Sequence, residues 1–264
     1  MKHIPTIMVG LIGYALFLLA SCYGISFTLG GLLPDPVAAP HLTGPAAMLF
    51  DVALIAAFGV QHSIMARAGW KQLWTRIIPP TLERSLYVLI ASCILLAMFW
   101  YWQPIPASIW QINAPLARTL VYGVCLAGWV IVVASTFQID HFELFGLKQI
   151  WRSIRRQPQG SPEFRLPLLY RFVRHPMMGG FLVAFWATPT MTVDRLIFAA
   201  AMSAYILLGV SLEERSLRRE FGPVYATYQA DVPRLIPFLR IPRILGGFTR
   251  TNPGHTRSGS AIGD

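Results

Sequence analysis

The segment ARTLVYGVCLAGWVIVVASTF, residues 117–137, carries a single charged residue, Arg118, near its start. The hydrocarbon core of a bilayer is about 30 Å thick, and a helix needs about 20 mostly apolar residues to cross it. The segment therefore predicts a transmembrane helix. Comparable apolar segments at residues 4–33, 46–66 and 86–102 predict three more.

The C-terminal half contains two shorter apolar segments, residues 177–189 and 195–212. They are separated by TPTMTVD, residues 188–194, in which Pro189 favours a turn. The pair forms either a hairpin of two spans, one of them short, or a re-entrant piece followed by a span. The predicted fold class is all-α, a polytopic membrane helix bundle of five to six transmembrane segments with cytosolic catalytic loops.

The composition agrees with a membrane location. Of 264 residues, 55% are hydrophobic and 13% are charged, whereas soluble domains carry about 25% charged residues. With a cytoplasmic N-terminus and a full hairpin, every Lys and Arg except Arg118 and Arg195 falls on the cytoplasmic side. This asymmetry follows the positive-inside rule and predicts that both termini are cytoplasmic, in a bacterial inner membrane. It explains the net charge of +10 through anionic lipids, without a nucleic-acid partner.

Three regions are predicted along the chain. Residues 1–137 form an N-terminal four-helix membrane region. Residues 138–248 hold a cofactor-binding loop, the helical hairpin and a C-terminal catalytic region, and residues 249–264 form a disordered tail rich in Gly, Ser and Thr. Cys22, Cys93 and Cys125 lie in apolar runs without CxxC spacing, so neither a disulfide nor a metal site is expected.

Polar groups gather at the predicted cytosolic ends of the spans. They occur in VQHSIMAR (60–67), ERSLYVL (83–89) and STFQIDHFELFGL (135–147). Two interpretations stay open for His62, Arg84, Asp140 and His141. They are helix ends solvated among lipid headgroups, or they line a site, because ionisable residues at membrane depth usually face a functional interior.

Two further motifs stand at the same boundary, YRFVRHPMMGG (170–180) and SLEERSLRREFGPVYATYQADVPRLIPF (211–238). Pro176 suits the first position of a helix, which places His175 near its N-cap. Glu213 and Glu214 are adjacent carboxylates, and the spacing predicts an ion pair from Glu214 to Arg218. One arginine does not satisfy both carboxylates, so the pair favours a cationic ligand.

These motifs resemble the isoprenylcysteine carboxyl methyltransferase superfamily, whose pattern is RHPxYxG, then EExxLxxxFGxxYxxY and VPxxIP. The resemblance covers residues 166–238. FGVQHSIMAR, ERSLYVL and STFQIDHFELFGL are similar to the methanethiol S-methyltransferase and nurim branch and extend it over most of the chain except the tail. Met178 departs from the pattern, which has a Tyr that helps hold the cofactor in prenylcysteine enzymes. This departure argues against a prenylcysteine substrate.

The resemblance implies that S-adenosylmethionine binds in a cytosolic pocket. By matched position, the pocket is lined by Tyr170, His175, Pro176, Met178 and Glu213, with backbone contacts from Arg165 and Leu166. The chemistry of the residues agrees: Glu213 or Glu214 suits the ribose diol or the ammonium group. His175 and the helix start suit the carboxylate of the cofactor.

The implied reaction is methylation of a small thiol, with methanethiol giving dimethyl sulfide. The thiolate is the nucleophile, so the site needs a base or a cation that lowers the thiol pKa. Candidate bases are His62, Asp140 and His141, and candidate thiolate-stabilising cations are Arg84 and Arg174. Met177, Met178, Phe137 and Phe142 are candidates for the apolar wall of the thiol site.

Other functions stay open. A membrane methyltransferase that acts on a prenylcysteine or a lipid shares the C-terminal pattern, and a non-enzymatic nurim-like membrane protein shares the helices. A transporter is disfavoured, because the charged groups gather on one face rather than at the bilayer midplane.

Overall fold

The computed structural model describes residues 4–31, 42–158 and 166–237. The predicted tail at 249–264, Arg165, residues 238–248 and the end of the first predicted span lie outside these ranges. Within them the chain is mostly helical, with two short strands, which confirms the all-α membrane bundle.

Five helices in the described part of the chain are long and apolar enough to cross a membrane. They are α1 (Ile4–Leu29), α2 (Gly44–Met65), α4 (Pro80–Tyr101), α5 (Pro115–Ile139) and α9 (Val193–Asp231). Helices α2, α4 and α5 each have a proline in their first turn, where its missing N–H costs nothing. Helix α1 ends at Leu29, before Gly30 with a φ of 100°. Apolar length alone thus identified all five.

Shorter elements connect the spans. Helix α3 (Ala68–Trp74) follows α2, and α6 (His141–Leu144) and α7 (Leu147–Ile154) follow α5. A 3-10 turn, Leu168–Arg171, precedes α8 (Pro176–Trp186). Strands β1 (Ser108–Gln111) and β2 (Thr190–Thr192) pair in antiparallel orientation before α5 and α9 begin.

Helix α8 packs closely against α5 because small residues meet at the crossing. A Cβ atom at Gly128 would lie 2.7 Å from the carbonyl oxygen of Gly180 and 2.8 Å from the backbone nitrogen of Ala184. A Cβ atom at Gly180 would meet the carbonyl oxygen of Gly128 at 2.7 Å. Close approach of small residues is a common way to pack helices in membranes, and it fixes α8, with His175 at its start, against α5.

Helix α8 has 11 residues, about 16 Å of helix, and is too short to cross a bilayer alone. The chain continues from it as an extended stretch into β2, beside the start of α5. The backbone of this stretch is satisfied by protein groups, as membrane depth requires. Trp110 Nε1 donates to the Thr188 carbonyl at 3.1 Å, and Ile112 N donates to the Pro189 carbonyl at 2.8 Å. The hairpin thus consists of a short helix with an extended stretch, followed by a long helix.

Helix α9 is broken at Gly222, whose φ of 55° and ψ of −129° are not helical. The part after the break carries Tyr225 and Tyr228, which are buried with Val232 in a small apolar cluster. The larger core lies between the spans and α8. The break therefore separates the membrane-spanning part of α9 from a short helix that folds back toward the start of α8.

Candidate active site

Backbone hydrogen bonds hold residues 174–176, called the RHP segment below, against the stretch that follows α9. Arg174 N donates to the Pro233 carbonyl at 2.9 Å, and His175 N donates to the Arg234 carbonyl at 3.1 Å. The Arg174 guanidinium also donates to the carbonyls of Gln229 and Val232. Two motifs that are far apart in sequence therefore form one structural unit.

Two carboxylates of α9 flank the imidazole of His175. Glu214 Oε1 lies 3.1 Å from His175 Nε2 and accepts a hydrogen bond from Arg174 Nε at 2.8 Å. Glu213 Oε2 lies 3.5 Å from His175 Nδ1. His175 is buried, whereas the Glu213 side chain is 49% exposed. Glu214 is thus a structural anchor, and Glu213 remains open to a ligand.

The predicted ion pair between Glu214 and Arg218 is absent among the described residues. Glu214 is engaged by Arg174, His175 and, at 3.5 Å, by Arg234 Nε. Arg218 donates instead to the side-chain oxygen of Gln229. Tertiary partners outcompete the neighbour one helical turn away because a pair exposed on a helix surface gains only a few tenths of a kcal/mol.

Aromatic side chains form another wall of the site. The Tyr228 hydroxyl donates to the Tyr170 carbonyl at 2.5 Å, and the rings of Tyr225 and Tyr228 meet edge to face. Burial, together with the nearby Glu213 carboxylate, raises the pKa of the Tyr170 phenol well above its usual value. The phenol therefore stays neutral at physiological pH and adds no negative charge beside Glu213.

These groups enclose a cavity of about 400 Å³, within the range of roughly 300–1,000 Å³ that is typical of small-molecule sites. It is lined by Ile139, Leu166, Tyr170, Arg174, His175, Met177, Met178, Glu213, Leu217, Glu220, Phe221, Tyr225 and Tyr228. Six sequence-predicted site residues are thus brought together: Leu166, Tyr170, Arg174, His175, Met178 and Glu213. Pro176 begins α8 beside them, and Glu214 lies behind His175.

Four other predicted site residues lie outside the lining of this cavity. The Tyr87 hydroxyl lies 2.7 Å from His62 Nε2, between α4 and α2. Arg84 Nε donates to the Leu144 carbonyl at 2.7 Å, and its guanidinium lies 5.3 Å from the centre of the Tyr87 ring. These contacts give His62 and Arg84 structural partners.

Asp140 and His141 follow directly after Ile139, which lines the cavity. Asp140 caps α6 by accepting from Glu143 N and pairs with Lys148; partial burial opposes its ionisation, but these contacts outweigh burial and lower its pKa. His141 is buried, and burial lowers its pKa. Its ring nitrogens lie 2.8 Å from the Tyr14 hydroxyl and 2.9 Å from the Thr136 hydroxyl.

Of the four residues proposed for the thiol wall, Met177 and Met178 line the cavity. Phe137 and Phe142 are more than half exposed, and Phe137 stacks on His141 with ring centres 4.2 Å apart. Phe137 lies in the spanning helix α5, where an exposed apolar side chain is suited to lipid contact.

Sequence reasoning missed Ile139, Leu217 and Glu220 as lining residues. Leu217 and Glu220 follow Glu213 at intervals of four and seven, which places all three on one face of α9. That spacing could have identified Leu217 and Glu220 from the sequence. No sequence pattern identifies Ile139, because it is one apolar residue among many at the end of a span.

No group of three or more His, Cys, Asp or Glu residues with the geometry of a metal site occurs in the described ranges. The cavity instead combines carboxylates, an imidazole, an arginine, aromatic rings and two methionines. Such a set suits an organic ligand that has a cationic group, a flat ring and an apolar end.

Comparison with known proteins gives consistent results. The family described as NnrU protein matches residues 51–241. A methanethiol S-methyltransferase of Mycobacterium tuberculosis is 44% identical over 242 residues, which cover 90% of this chain and 98% of that protein. One of Pseudomonas deceptionensis is 47% identical over 201 residues, 76% of this chain and 77% of that protein.

Human nurim is 31% identical over 181 residues, which cover 66% of this chain and 69% of that protein. No solved structure matches significantly. The family match begins within α2 and includes the RHP segment and the whole of α9, and thus every described residue that lines the cavity. The chain is an integral membrane protein that belongs to the NnrU family and is similar over most of its length to methanethiol S-methyltransferases.

Proposed function

We propose that this protein transfers a methyl group from S-adenosylmethionine to a small thiol, and that the thiol is methanethiol. The names of its relatives support this substrate and product. The single structural observation that carries the proposal is the cavity in which Glu213 and His175 face Met177 and Met178. The cavity combines polar groups that can bind a charged methyl donor with apolar side chains that can hold a thiol.

The residues of the cavity fit S-adenosylmethionine. Glu213 is half exposed toward the cavity, so its carboxylate is available for the ribose diol or the ammonium group. The first turn of α8, which His175 precedes, supplies backbone N–H groups for the carboxylate, and Phe221 and Tyr225 supply faces for the adenine. When bound, the donor supplies an electrophilic methyl group on a sulfonium sulfur.

The apolar end of the cavity suits methanethiol, which offers one methyl group for recognition. Met177 and Met178 provide flexible, polarizable side chains that can close around so small a molecule, and Ile139 adds a branched apolar side chain. An apolar site excludes water, which increases the effect of any charge placed near the sulfur. Most of the rate enhancement should come from holding the thiol against the methyl group in the right orientation.

The thiol must lose its proton, because the thiolate is the nucleophile and even the thiol of free cysteine, with a pKa of about 8.5, is mostly protonated at pH 7. Arg174 lines the cavity, and the positive charge of its guanidinium favours the thiolate. The imidazole of His175 and the carboxylate of Glu213 are the groups beside it that can accept a proton. The roles predicted for His62, Arg84, Asp140 and His141 remain predictions, and their contacts favour positioning of the surrounding helices.

We further propose that the cavity faces the cytoplasm of a bacterial cell, with both chain termini on that side of the inner membrane. The distribution of Lys and Arg supports this orientation. It places the cavity of the proposed cofactor-binding and catalytic region, residues 138–248, where soluble S-adenosylmethionine is available.

The test is headspace mass spectrometry of purified protein supplied with methanethiol and S-adenosylmethionine that carries a deuterated methyl group. The proposal predicts dimethyl sulfide that contains the labelled methyl. Binding of the donor without labelled product would mean another acceptor, such as a lipid or a prenylated thiol. Failure to bind the donor at all would favour a non-enzymatic nurim-like role, for which the similarity to nurim is the reason to test.

A further inference from the structure

A second cavity, of about 390 Å³, lies behind Glu214 on the side away from the candidate active site. Its lining residues are Ser211, Glu214, Arg215, Arg218, Arg219, Gln229 and Arg234. Four guanidinium groups surround it, and Glu214 is the one carboxylate among these described lining residues. The proposed methyl transfer makes no use of these arginines.

Two of the arginines are held in place by neutral partners. Arg218 donates through Nε and Nη2 to the side-chain oxygen of Gln229, and Arg234 Nη2 donates to the Ser211 hydroxyl at 2.7 Å. An amide or a hydroxyl fixes the orientation of a guanidinium but leaves its charge uncompensated. The cavity is therefore preorganised and positively charged.

One carboxylate cannot neutralise four guanidinium groups. Oε1 of Glu214 is already engaged by Arg174 and His175, and Oε2 approaches Arg234 Nε only to 3.5 Å. Arg215 and Arg219 stand four residues apart on α9, a spacing at which like charges destabilise a helix. An anion between them would remove that repulsion.

The position of the cavity identifies the anion. The apolar part of α9 ends near Leu212, and Arg215 is the first basic residue beyond it. Arg215 therefore lies at the depth of the lipid phosphates, just outside the hydrocarbon core. The planar fork of arginine matches a phosphate through paired hydrogen bonds. Basic pockets at this depth on the cytoplasmic side are suited to anionic headgroups.

We propose that this arginine cavity binds the phosphate of one anionic phospholipid headgroup. The bound lipid neutralises Arg215 and Arg219 and lies against Glu214, which is the wall shared with the candidate active site. The site is independent of the proposed methyl transfer, since lipid binding requires neither the methyl donor nor a thiol.

Native mass spectrometry of the full chain in a neutral detergent tests this proposal, with phosphatidylglycerol and phosphatidylcholine of identical acyl chains as probes. One phosphatidylglycerol should bind more tightly than phosphatidylcholine. The double variant Arg215→Gln, Arg219→Gln should weaken its binding by roughly 30-fold, at about 1 kcal/mol for each arginine. Both positions are exposed, so the variant should fold.

The matched control is the double variant Arg67→Gln, Arg76→Gln, which removes two exposed arginines near α3, outside the cavity. It should bind phosphatidylglycerol like the wild type. Equal losses in both double variants, or equal binding of the two lipids, would show diffuse attraction and overturn the proposal. Displacement of phosphatidylglycerol by inorganic phosphate at equal concentration would mean a soluble anion and would likewise overturn it.

Discussion

Arg174 Nε and Nη2 both lie 2.8 Å from Oε1 of Glu214, across forty residues of sequence. Both side chains are largely buried, at 10% and 13% exposure. The same guanidinium holds the carbonyls of Gln229 and Val232. Arg174 therefore links three parts of the chain. It belongs to the RHP segment, it binds Glu214 in the middle of α9, and it binds the carbonyls of Gln229 and Val232 at the end of α9.

Replacement of Arg174 should destabilise the protein strongly. Arg174→Gln leaves Glu214 without its main partner, and loss of one member of a buried pair costs about 3–5 kcal/mol. We expect the apparent melting temperature in detergent to fall by roughly 6–20 °C. Arg171→Gln is the control, because Arg171 is exposed and, among the described residues, its side chain donates only to the Leu166 carbonyl. Similar melting temperatures for the two variants would refute the anchoring role.

The crossing of α5 and α8 gives a second prediction. Gly128→Ala would place a methyl group 2.7 Å from the Gly180 carbonyl, and overpacking of this kind costs about 1–3 kcal/mol. The variant should melt several degrees lower. Gly123→Ala, in the same helix, meets nothing within 4 Å and should be neutral or slightly stabilising. An unchanged melting temperature for Gly128→Ala would mean that the helices are not this close.

Asp140 should affect turnover more than donor binding. Asp140→Asn keeps the size of the side chain but weakens the ion pair with Lys148 and the cap of α6. The neighbouring Ile139, which lines the apolar end of the cavity, should then be held less firmly. We expect turnover to fall while calorimetric affinity for S-adenosylmethionine is unchanged. Equal losses in both quantities would place Asp140 at the donor instead.

Because His141 is buried, we expect the free energy of unfolding of the protein to depend on pH. Burial lowers its pKa in the folded state, whereas the unfolded value is about 6.5. The unfolded state therefore binds the proton more readily, and the stability that neutral His141 contributes is lost as pH falls below about 6.5. The difference in melting temperature between wild type and His141→Gln should shrink from pH 8 to pH 5. A constant difference would contradict a buried neutral imidazole.

The spans were predictable because a bilayer imposes a length and a composition that can be read directly from the sequence. The extended stretch after α8 was not, since its backbone partners, Trp110 and Ile112, come from a distant loop. The close crossing of α5 and α8 could not be predicted either, because it depends on which faces of the two helices meet. The sequence shows that Gly128 and Gly180 are present but not that they are close in space.

The residues of the site were predictable where a motif carried them. His175 and Glu213 stand in recognisable patterns, and the structure brings them within 3.5 Å. The partner of Glu214 was not predictable by local spacing, which favoured Arg218 over the distant Arg174. Residues such as Ile139 enter the cavity through tertiary packing alone, so no local property of the sequence marks them.

The most direct test of the central claim is calorimetric titration of purified protein with S-adenosylmethionine. Loss of one charge-assisted hydrogen bond costs about 1.5–3 kcal/mol, so Glu213→Gln should bind the donor roughly 10- to 100-fold more weakly than wild type. Glu83→Gln, on the same side of the membrane but outside the cavity, should bind it like the wild type. Wild-type affinity in Glu213→Gln would contradict the assignment of this cavity to the methyl donor.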